Sequence, residues 1–338
     1  RILRYNVVFN KIEVDSREVL VDTFPMGIDY LKFFNSAKQK LNQKKSEMSK
    51  LRVKLKDHKK NSADSKLILS IDRLDYTKGV INRIKAFEIF LTNFPEYRDK
   101  VRLVMLTVPS RSDVDDYKKL KKQTDEIVGR VNGKFASVNW TPIWYYYRTM
   151  NFDELIDLYT ISDIAMITPV RDGMNLVAKE FVATRVKGDG VLILSEMAGA
   201  SKELYEALTV NPFDLNDMSN VIFSAMNMPE KEQIKRNKSM QTRLSRYTVN
   251  YWANDFMKNL ISRGKTNLKS ITNIFDISER NKLIDKLKLS SKKLIILDYD
   301  GTLVNFKDNP ELAIPDDNLI EILNNLTSIK GLDVAIVS

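Results

Sequence analysis

The sequence predicts an α/β protein: a main domain built on a parallel sheet with helices on both faces, followed by the beginning of a second α/β unit. Continuous apolar runs recur between residues 67 and 194, and such runs are typical of strands buried on both faces. Segments with apolar residues at helical spacing separate the runs, which favours a parallel sheet. A fresh apolar run at 294–297 predicts the second unit.

The predicted elements follow one another along the chain. Residues 5–9 and 19–21 are predicted to be short strands, and a basic helical segment comes next. Asn151 is a suitable N-cap for a helix that begins at Phe152, because its side chain can accept a hydrogen bond from a first-turn amide. The other predicted elements are strand 67–71, helix 78–94, strand 101–106, helix 113–131, strand 137–140, helix 152–160, strand 164–167, helix 176–184, strand 191–194, helical region 229–260, strand 294–297, helix 318–326 and strand 334–337.

Composition excludes several kinds of site. The 338 residues include no cysteine, which excludes disulfides and thiolate metal sites, and a single histidine, His58 in a Lys-rich run, which excludes a zinc site of several histidines within this chain. The absence of cysteine fits a reducing compartment, and we expect a cytoplasmic protein. No stretch approaches the roughly 18 apolar residues of a membrane span, so we expect no membrane partner.

The formal net charge of +10 is concentrated in one segment. Between Lys38 and Lys60 ten basic residues face only Glu47 and Asp57. We interpret this segment as a solvated, partly helical connection. Aromatic residues are not interleaved with the lysines, which argues against nucleic acid as a partner.

The first motif is DRLDYTKG at 72–79, between a buried strand and a helix. In open α/β sheets, ligands bind beyond the carboxyl ends of the strands. Arg73 and Lys78 are therefore predicted to reach this crevice, where two cations and helix N-terminal amides favour a diphosphate. The alternative is that Arg73 pairs with Asp75 while Lys78 is solvated.

The second motif is TPVRDGMNLVAKE at 168–180, again between a strand and a helix. Gly173 permits a tight turn close to a ligand, and the amides of 173–175 are predicted to face outward at the helix start. Glu180 is placed to accept hydrogen bonds from ribose hydroxyls, with an ordinary exposed glutamate as the alternative. Lys179 is predicted to be solvated. A third motif, at 108–112, contains Arg111, either an anion ligand or a surface arginine.

Several long segments together resemble the trehalose-6-phosphate synthases. These segments are SIDRLDYTKGV, VPSRSDV, GRVNGKFASVNWTPI, TPVRDGMNLVAKEFVA and GVLILSEMAGASKEL, in this order. The resemblance implies a GT-B fold, of which this chain holds the C-terminal, Rossmann-like domain. It also implies retaining transfer of glucose from UDP-glucose to glucose 6-phosphate, giving trehalose 6-phosphate without a cofactor or metal.

The resemblance assigns roles to individual residues. It makes Arg73 and Lys78 the catalytic contacts to the donor diphosphate. Asp172 is expected to bind the glucosyl hydroxyls, Glu180 the ribose, and Arg111 the acceptor phosphate. The backbone of four residues is expected to face the donor, with one more side chain beside the nucleotide: Gly173, Met174, Asn175 and Leu176, and then Val177.

The last motif is LIILDYDGTL at 294–303. Alternation along a strand places Asp298 and Asp300 on one face, where two carboxylates bind Mg²⁺ and one can attack phosphorus. The motif resembles the first motif of haloacid dehalogenase-type phosphatases. That resemblance implies Asp298 as nucleophile, Asp300 as general acid/base, both as Mg²⁺ ligands, and Ser338 as a phosphate contact. It further implies a fused phosphatase acting on trehalose 6-phosphate.

These motifs predict a domain plan and leave two alternatives open. Most of the family's acceptor domain is absent, so we expect a fragment that is inactive alone, and we expect the natural chain to continue past 338. Another GT-B sugar-nucleotide transferase, or a non-catalytic sugar-phosphate-binding regulator, is the alternative function; the oligomeric state is unassigned. The predicted parts are an acceptor-domain remnant at 1–30, a Lys-rich helical connection at 31–66, the nucleotide-sugar-binding domain at 67–264, a linker at 265–290 and the phosphatase start at 291–338.

Overall fold

The computed structural model describes residues 5–14, 17–60, 65–110, 114–266, 277–307 and 309–337. The chain divides into two compact units, Arg1–Ser262 and Arg263–Ser338. None of the helices in the described ranges is long and apolar enough to cross a membrane.

Unit 1 begins with a small antiparallel sheet. Where the sequence predicts two strands, the described residues form three, in the order β1-β2-β3: β1 (Asn6–Val8), β2 (Lys11–Val14) and β3 (Arg17–Leu20). The extra strand β2 was not predicted because its short KIEV run has only two apolar residues. Its side chains alternate between exposed and half-buried, as expected for a strand with one covered face.

A parallel sheet forms the centre of unit 1. Within the described residues it has six strands in the order β6-β5-β4-β7-β8-β9. The order reverses between the neighbours β4 and β7, and such a switch point is where open α/β sheets bind ligands. The elements are α1 (Tyr30–Asn42), α2 (Lys50–Lys60), β4 (Lys66–Arg73), α3 (Val80–Asn93), β5 (Val101–Val108), α4 (Asp115–Phe135), β6 (Ile143–Tyr147), α5 (Phe152–Ile161), β7 (Ile164–Ile167), α6 (Leu176–Ala183), β8 (Val191–Ser195), β9 (Leu208–Val210), α7 (Leu215–Met226), α8 (Glu230–Arg246) and α9 (Val249–Thr266).

Apolar clusters cover both faces of this sheet. Leu67 and Leu69 of β4 belong to one cluster, and Ile68, between them, belongs to the other. All three side chains are almost completely buried, and each contributes about 1.5–3 kcal/mol relative to an exposed position. The predicted parallel sheet with helices on both faces is therefore confirmed.

The strand predicted at 137–140 is wrong. Ser137 and Trp140 instead close a short turn through an isolated bridge, and Trp140 Nε1 donates to the carbonyl of Val101 at 2.9 Å. The edge strand is β6, the aromatic run that follows. The strand was predicted because Trp140 makes residues 137–140 look apolar. In the structure the Trp140 ring is buried in the core, but the residue belongs to a loop.

The basic segment is packed onto unit 1, contrary to the prediction of a solvated connection. Leu55 of α2 is completely buried, and Arg52 is 1% exposed. The Arg52 guanidinium donates from Nη1 to Asp157 Oδ1 at 3.0 Å and Thr160 Oγ1 at 2.9 Å, both on α5. Its Nη2 donates to the carbonyl of Lys40 at 2.9 Å. The excess of basic residues did not reveal that α2 is packed, because one arginine and a few leucines are enough to anchor the helix.

Unit 2 contains a parallel strand pair, with β10 (Lys293–Asp298) paired to β11 (Leu332–Val337) in register. Helix α11 (Asp317–Thr327) lies between them in sequence, and Asp316 caps it by accepting from the amide of Leu319 at 2.8 Å. A further helix, α10 (Ile277–Leu289), occupies part of the predicted linker. The polar stretch at 267–273 lies outside the described residues.

Candidate functional site

The loops that follow β4 and β7 lie against each other at the switch point of the sheet. The amides of Val170 and Arg171 both donate to the carbonyl of Thr77, at 2.8 and 3.2 Å. Gly79 has a φ of +66°, and a Cβ there would lie 2.4 Å from the Thr168 carbonyl oxygen. A residue with a side chain at this position would push the two loops apart. The first and second motifs therefore meet at the carboxyl ends of β4 and β7, where open α/β sheets bind ligands, and we refer to this region as the crevice.

Lys78 and Asp172 form an ion pair across this crevice. Lys78 Nζ lies 2.6 Å from Asp172 Oδ2, and the two side chains are 15% and 14% exposed. Asp172 also accepts from the Met174 amide at 3.2 Å and from Asn175 Nδ2 at 3.1 Å. Lys78 is thus held in the crevice and is not the solvated lysine of the alternative interpretation.

Arg73 is an exposed cation at the end of β4. Within the described parts of the chain it makes no hydrogen bond or close ion pair. Burial raises the pKa of nearby Asp75, but hydrogen bonds from Thr77 and Tyr117 and the charge of Arg73 lower the pKa overall. The Thr77 hydroxyl and amide donate to Asp75 Oδ1 at 2.7 and 2.9 Å, so the loop itself satisfies this carboxylate. An anion-binding role for Arg73 stays a prediction.

A buried arginine that sequence reasoning missed supports the floor of the crevice. Arg83 of α3 is completely buried and donates to Asp72 Oδ2 at 2.7 Å and to the Ser70 hydroxyl, both on β4. It also donates to Thr168 Oγ1 at 3.1 Å and to the Lys78 carbonyl at 3.0 Å. Burial raises the pKa of Asp72, and the Arg83 guanidinium opposes that effect. One side chain therefore connects the ends of both strands with the backbone of Lys78.

The sequence did contain a signal for Arg83. It lies three residues after Val80 and four before Phe87, which are both buried on α3. A charge on the apolar face of a helix requires a buried partner. Asp72, the acid next to the end of the preceding strand, is that partner.

The backbone of 173–175 is only partly free for a ligand. The amide of Met174 is used by Asp172, contrary to the expectation that it faces outward. Asn175, at a φ of 88°, caps α6 by accepting from the Ala178 amide at 3.0 Å. A Cβ on Gly173 would meet nothing within 4 Å, so open space borders this turn. Leu176 and Val177 follow in the first turn of α6, half-buried.

The steric requirement for glycine lies at Gly199 instead, which sequence reasoning missed. A Cβ there would fall 2.1 Å from the Gly173 carbonyl oxygen. The amide of Gly199 donates to the Asp172 carbonyl at 2.9 Å, and the Ala200 amide donates to the Met174 carbonyl at 2.7 Å. The loop after β8 therefore packs against the second motif and holds its backbone through these two hydrogen bonds.

Glu180 is a half-buried carboxylate held by a buried phenol. Tyr159 of α5 is 1% exposed, and its hydroxyl donates to Glu180 Oε2 at 2.6 Å. Burial raises the pKa of Glu180, and the hydrogen bond from Tyr159 acts in the opposite direction. Burial, together with the Glu180 charge, raises the pKa of Tyr159 well above its ordinary value, so the phenol stays a donor.

Lys179 has a structural role, contrary to the prediction that it is solvated. It is completely buried, and its Nζ donates to Glu203 Oε1 at 2.6 Å and to the Met26 carbonyl at 2.8 Å. The helical periodicity of α6 did not reveal this because both acceptors lie in distant parts of the sequence.

The remaining predicted residues belong to other places. Arg111 and Ser338 lie outside the described residues. In unit 2, Asp298 ends β10, and its Oδ2 accepts from Thr302 Oγ1 at 2.8 Å. Asp298 and Asp300 are both exposed. The described ranges hold no group of three potential metal-ligating side chains, but Mg²⁺ is often bound by one or two carboxylates with water and phosphate oxygens. The two aspartates fit such a role.

Comparison with known proteins gives consistent matches. A sequence profile of Glycosyltransferase family 20 matches residues 1–262. The bifunctional trehalose-6-phosphate synthase/phosphatase of Thermoproteus tenax is 44% identical over a stretch covering 100% of this chain and 45% of that protein. The alpha,alpha-trehalose-phosphate synthase (UDP-forming) A of Dictyostelium discoideum is 35% identical. That match also covers 100% of this chain and 45% of the relative. The chain thus spans less than half the length of these two relatives.

Solved structures agree with the sequence matches. A synthase from Burkholderia xenovorans in complex with glucose-6-phosphate gives a TM-score of 0.69 at 35% identity, over 74% of this chain and 53% of that one. The structure from E. coli bound with UDP-2-fluoro glucose gives a TM-score of 0.68 at 31% identity. The match covers 75% of this chain and 55% of that one. The predicted Rossmann-like, GT-B type fold of the main domain is thereby confirmed, while a haloacid dehalogenase-like start of unit 2 stays a prediction. The chain belongs to glycosyltransferase family 20.

Proposed function

We propose that this chain carries the donor half of a retaining glucosyltransferase that moves glucose from UDP-glucose to glucose 6-phosphate, forming trehalose 6-phosphate. The observation that carries the proposal is the Lys78–Asp172 ion pair at the switch point between β4 and β7, with the exposed Arg73 at the end of β4. Similar proteins bear names with this activity, and similar structures hold glucose-6-phosphate or a UDP-glucose analogue.

The two cations suit a diphosphate leaving group. When the bond from glucose to the diphosphate breaks, negative charge accumulates on the departing oxygen. In this proposal Arg73 and Lys78 stabilise that charge, which is the preorganised electrostatics that enzymes use. Asp172 already holds the Lys78 ammonium at 2.6 Å, so the Lys78 side chain loses little conformational entropy when a ligand binds. In this proposal, protein cations perform the role that a metal ion has in many other transferases.

The carboxylates suit the two sugars of the donor. Asp172 accepts from Met174 at Oδ1 and from Lys78 and Asn175 at Oδ2, and we propose that its remaining lone pairs accept from glucosyl hydroxyls. Glu180 has one oxygen bound by Tyr159 and the other available to ribose hydroxyls. The Tyr159 hydrogen bond restricts the rotamers of Glu180 before the nucleotide arrives.

For unit 2 we propose the start of a phosphatase that acts on trehalose 6-phosphate. Asp298 attacks phosphorus while the sugar oxygen departs with a proton from Asp300, and water then hydrolyses the aspartyl phosphate. Mg²⁺, when bound, would offset the repulsion between carboxylate and phosphate. The match to a bifunctional relative over the whole of this chain supports this part of the proposal. The proposed reactions take place in the cytoplasm, which the absence of cysteine fits.

Titration of UDP-glucose into the chain by calorimetry tests the donor assignment. Arg73→Ala should weaken binding at least about tenfold, because a charge-assisted hydrogen bond contributes about 1.5–3 kcal/mol. Arg246→Ala, which removes an exposed arginine at the end of α8, is the matched control. Unchanged binding by Arg73→Ala would reject the diphosphate role.

The same titration separates the alternative functions. Preference for GDP-glucose would favour a different GT-B transferase. Binding of sugar phosphates without any nucleotide-sugar binding would favour a regulator. For the phosphatase, Asp298→Asn in a polypeptide with a complete phosphatase domain should abolish phosphate release from trehalose 6-phosphate, and undiminished release would reject the nucleophile.

A further inference from the structure

A surface cavity of about 650 Å³ lies between helix α2 and the edge of the main sheet. Four residues of α2 line it, and their spacing places them on one face of the helix: Lys50, Val53, Lys54 and Asp57. The opposite face of α2 carries Arg52 and Leu55, which are buried. The helix is therefore anchored on one side and contributes to a cavity on the other. The remaining walls are the loop before β6 and the starts of β5 and β6.

The cavity holds an excess of positive charge. Lys50, Lys54 and Arg102 line it, with Asp57 as the carboxylate in the same wall. Lys54 Nζ lies 4.9 Å from the centroid of the Trp144 ring, and the Arg102 guanidinium carbon lies 3.9 Å from it. The lysine–tryptophan contact brings the Lys54 ammonium towards the cavity wall, not away from it.

Arg102 is a buried cation that forms no ion pair with a carboxylate among the described residues. Its residue is 5% exposed, and its Nε donates to the Thr141 carbonyl at 2.7 Å. Burial lowers the pKa of Arg102 to about 10, so it still carries its charge near neutral pH. A desolvated guanidinium is costly unless an anion compensates it.

This cavity is separate from the proposed donor crevice. Arg102 pairs with Leu67 near the start of β4, whereas Arg73 ends that strand beside Val108. The offset of six residues corresponds to about 20 Å along the strand. The crevice lies at the carboxyl ends of the strands, and the cavity lies near their amino ends.

We propose that this cavity binds a small phosphorylated metabolite, with Lys50, Lys54 and Arg102 holding the phosphate and Trp144 beside it. A guanidinium and two ammonium groups complement a phosphate dianion. The volume lies in the range of small-molecule sites and exceeds what one phosphate ion fills. Met48 and Val53 supply apolar surface for the organic part of the ligand, and the largely buried Trp140 lines the same cavity.

The test uses the 338-residue chain carrying Arg73→Ala, so that phosphate binding in the donor crevice is weakened. Ribose 5-phosphate, inorganic phosphate and glucose are titrated as probes, with calorimetry for affinity and tryptophan fluorescence for location. Trp140 and Trp144 line the cavity, and the third tryptophan, Trp252, lies on α9. We expect ribose 5-phosphate to bind and change the fluorescence, inorganic phosphate to bind more weakly, and glucose to give no response.

Three variants locate the site. Lys50→Gln and Lys54→Gln are exposed substitutions that preserve the buried face of α2, and each should raise the Kd for ribose 5-phosphate about tenfold. Lys45→Gln removes an exposed charge from the same basic segment outside the cavity and should change the Kd by less than about twofold. An equal loss in all three, an equal response to glucose, equal affinity for inorganic phosphate, or no response to ribose 5-phosphate would each overturn the proposal.

Discussion

Lys78 Nζ lies 2.6 Å from Asp172 Oδ2, although the two residues are 94 positions apart in the chain. They follow neighbouring parallel strands, and the hydrogen bonds from the amides of Val170 and Arg171 to the Thr77 carbonyl hold their loops together. The pair fixes an ammonium group and a carboxylate at the point between β4 and β7 where the strand order reverses. This combination of charges suits the proposed diphosphate and sugar hydroxyl.

Replacement of Lys78 by methionine should remove one of the two cations from the crevice. We expect the Kd for UDP to rise about tenfold or more, since a charge-assisted hydrogen bond contributes about 1.5–3 kcal/mol. Calorimetric titration with UDP measures this. Lys85→Met, an exposed lysine of α3, is the matched control and should bind UDP as the parent does. Equal binding by both variants would contradict the role of Lys78.

Arg83→Met should destabilise unit 1 by about 3–5 kcal/mol, because it leaves the buried Asp72 carboxylate without its partner. Urea unfolding measures the loss, with Lys85→Met on the same helix as the control. Adding Asp72→Leu to Arg83→Met should recover part of the stability, since an apolar pair avoids the unpaired charge. If the double variant is no more stable than the single one, desolvation of Asp72 is not the cause.

Tyr159→Phe deletes the hydroxyl that donates to Glu180 and preserves the ring in the core. We expect UDP to bind about tenfold more weakly, because Glu180 loses its 2.6 Å restraint, while pyrophosphate binds as before. The comparison of these two ligands by calorimetry separates the ribose contact from the diphosphate contact. An equal loss for both ligands would indicate a general distortion of the crevice.

Glu180→Gln should change the pH dependence of stability. Burial raises the pKa of Glu180 in the folded chain above its ordinary value of 4.5, so the folded state binds more protons in the window above that value. Stability contributed by this group therefore falls as the pH rises through the window. The glutamine variant should gain stability relative to the parent at about pH 7 and lose that advantage at about pH 4. Urea unfolding at both pH values measures it, and a difference that does not vary with pH would contradict the raised pKa.

Gly199→Ala should destabilise the site, since its Cβ would fall 2.1 Å from the Gly173 carbonyl oxygen. We expect a loss of about 2 kcal/mol or more in thermal or urea unfolding, because backbone must shift. Gly173→Ala is the matched control: its Cβ meets nothing within 4 Å, so stability should change by less than about 0.5 kcal/mol. Equal effects of the two substitutions would show that close packing of these loops is not important.

By itself the sequence determined the class of fold and the position of the crevice. Largely apolar runs such as 67–71 and 164–167 mark buried strands, because burial on both faces leaves few polar positions, Ser70 being one. The motifs that follow two of these runs predicted Arg73, Lys78 and Glu180 as site residues, and the resemblance to the synthases added Asp172; their roles stay predictions. Local pattern is sufficient for these features because strand periodicity and the residues at strand ends are local properties.

Only the tertiary structure decided which side chains hold these residues in place. Arg83 with Asp72, Tyr159 with Glu180, and Lys179 with Glu203 are pairs formed between different elements, and helical periodicity carries no information about a partner. The same limit concealed the buried side of the basic segment, where Arg52 meets Asp157 across 105 positions. A charge is inexpensive in water and costly in the core, so its role depends on what the fold places beside it.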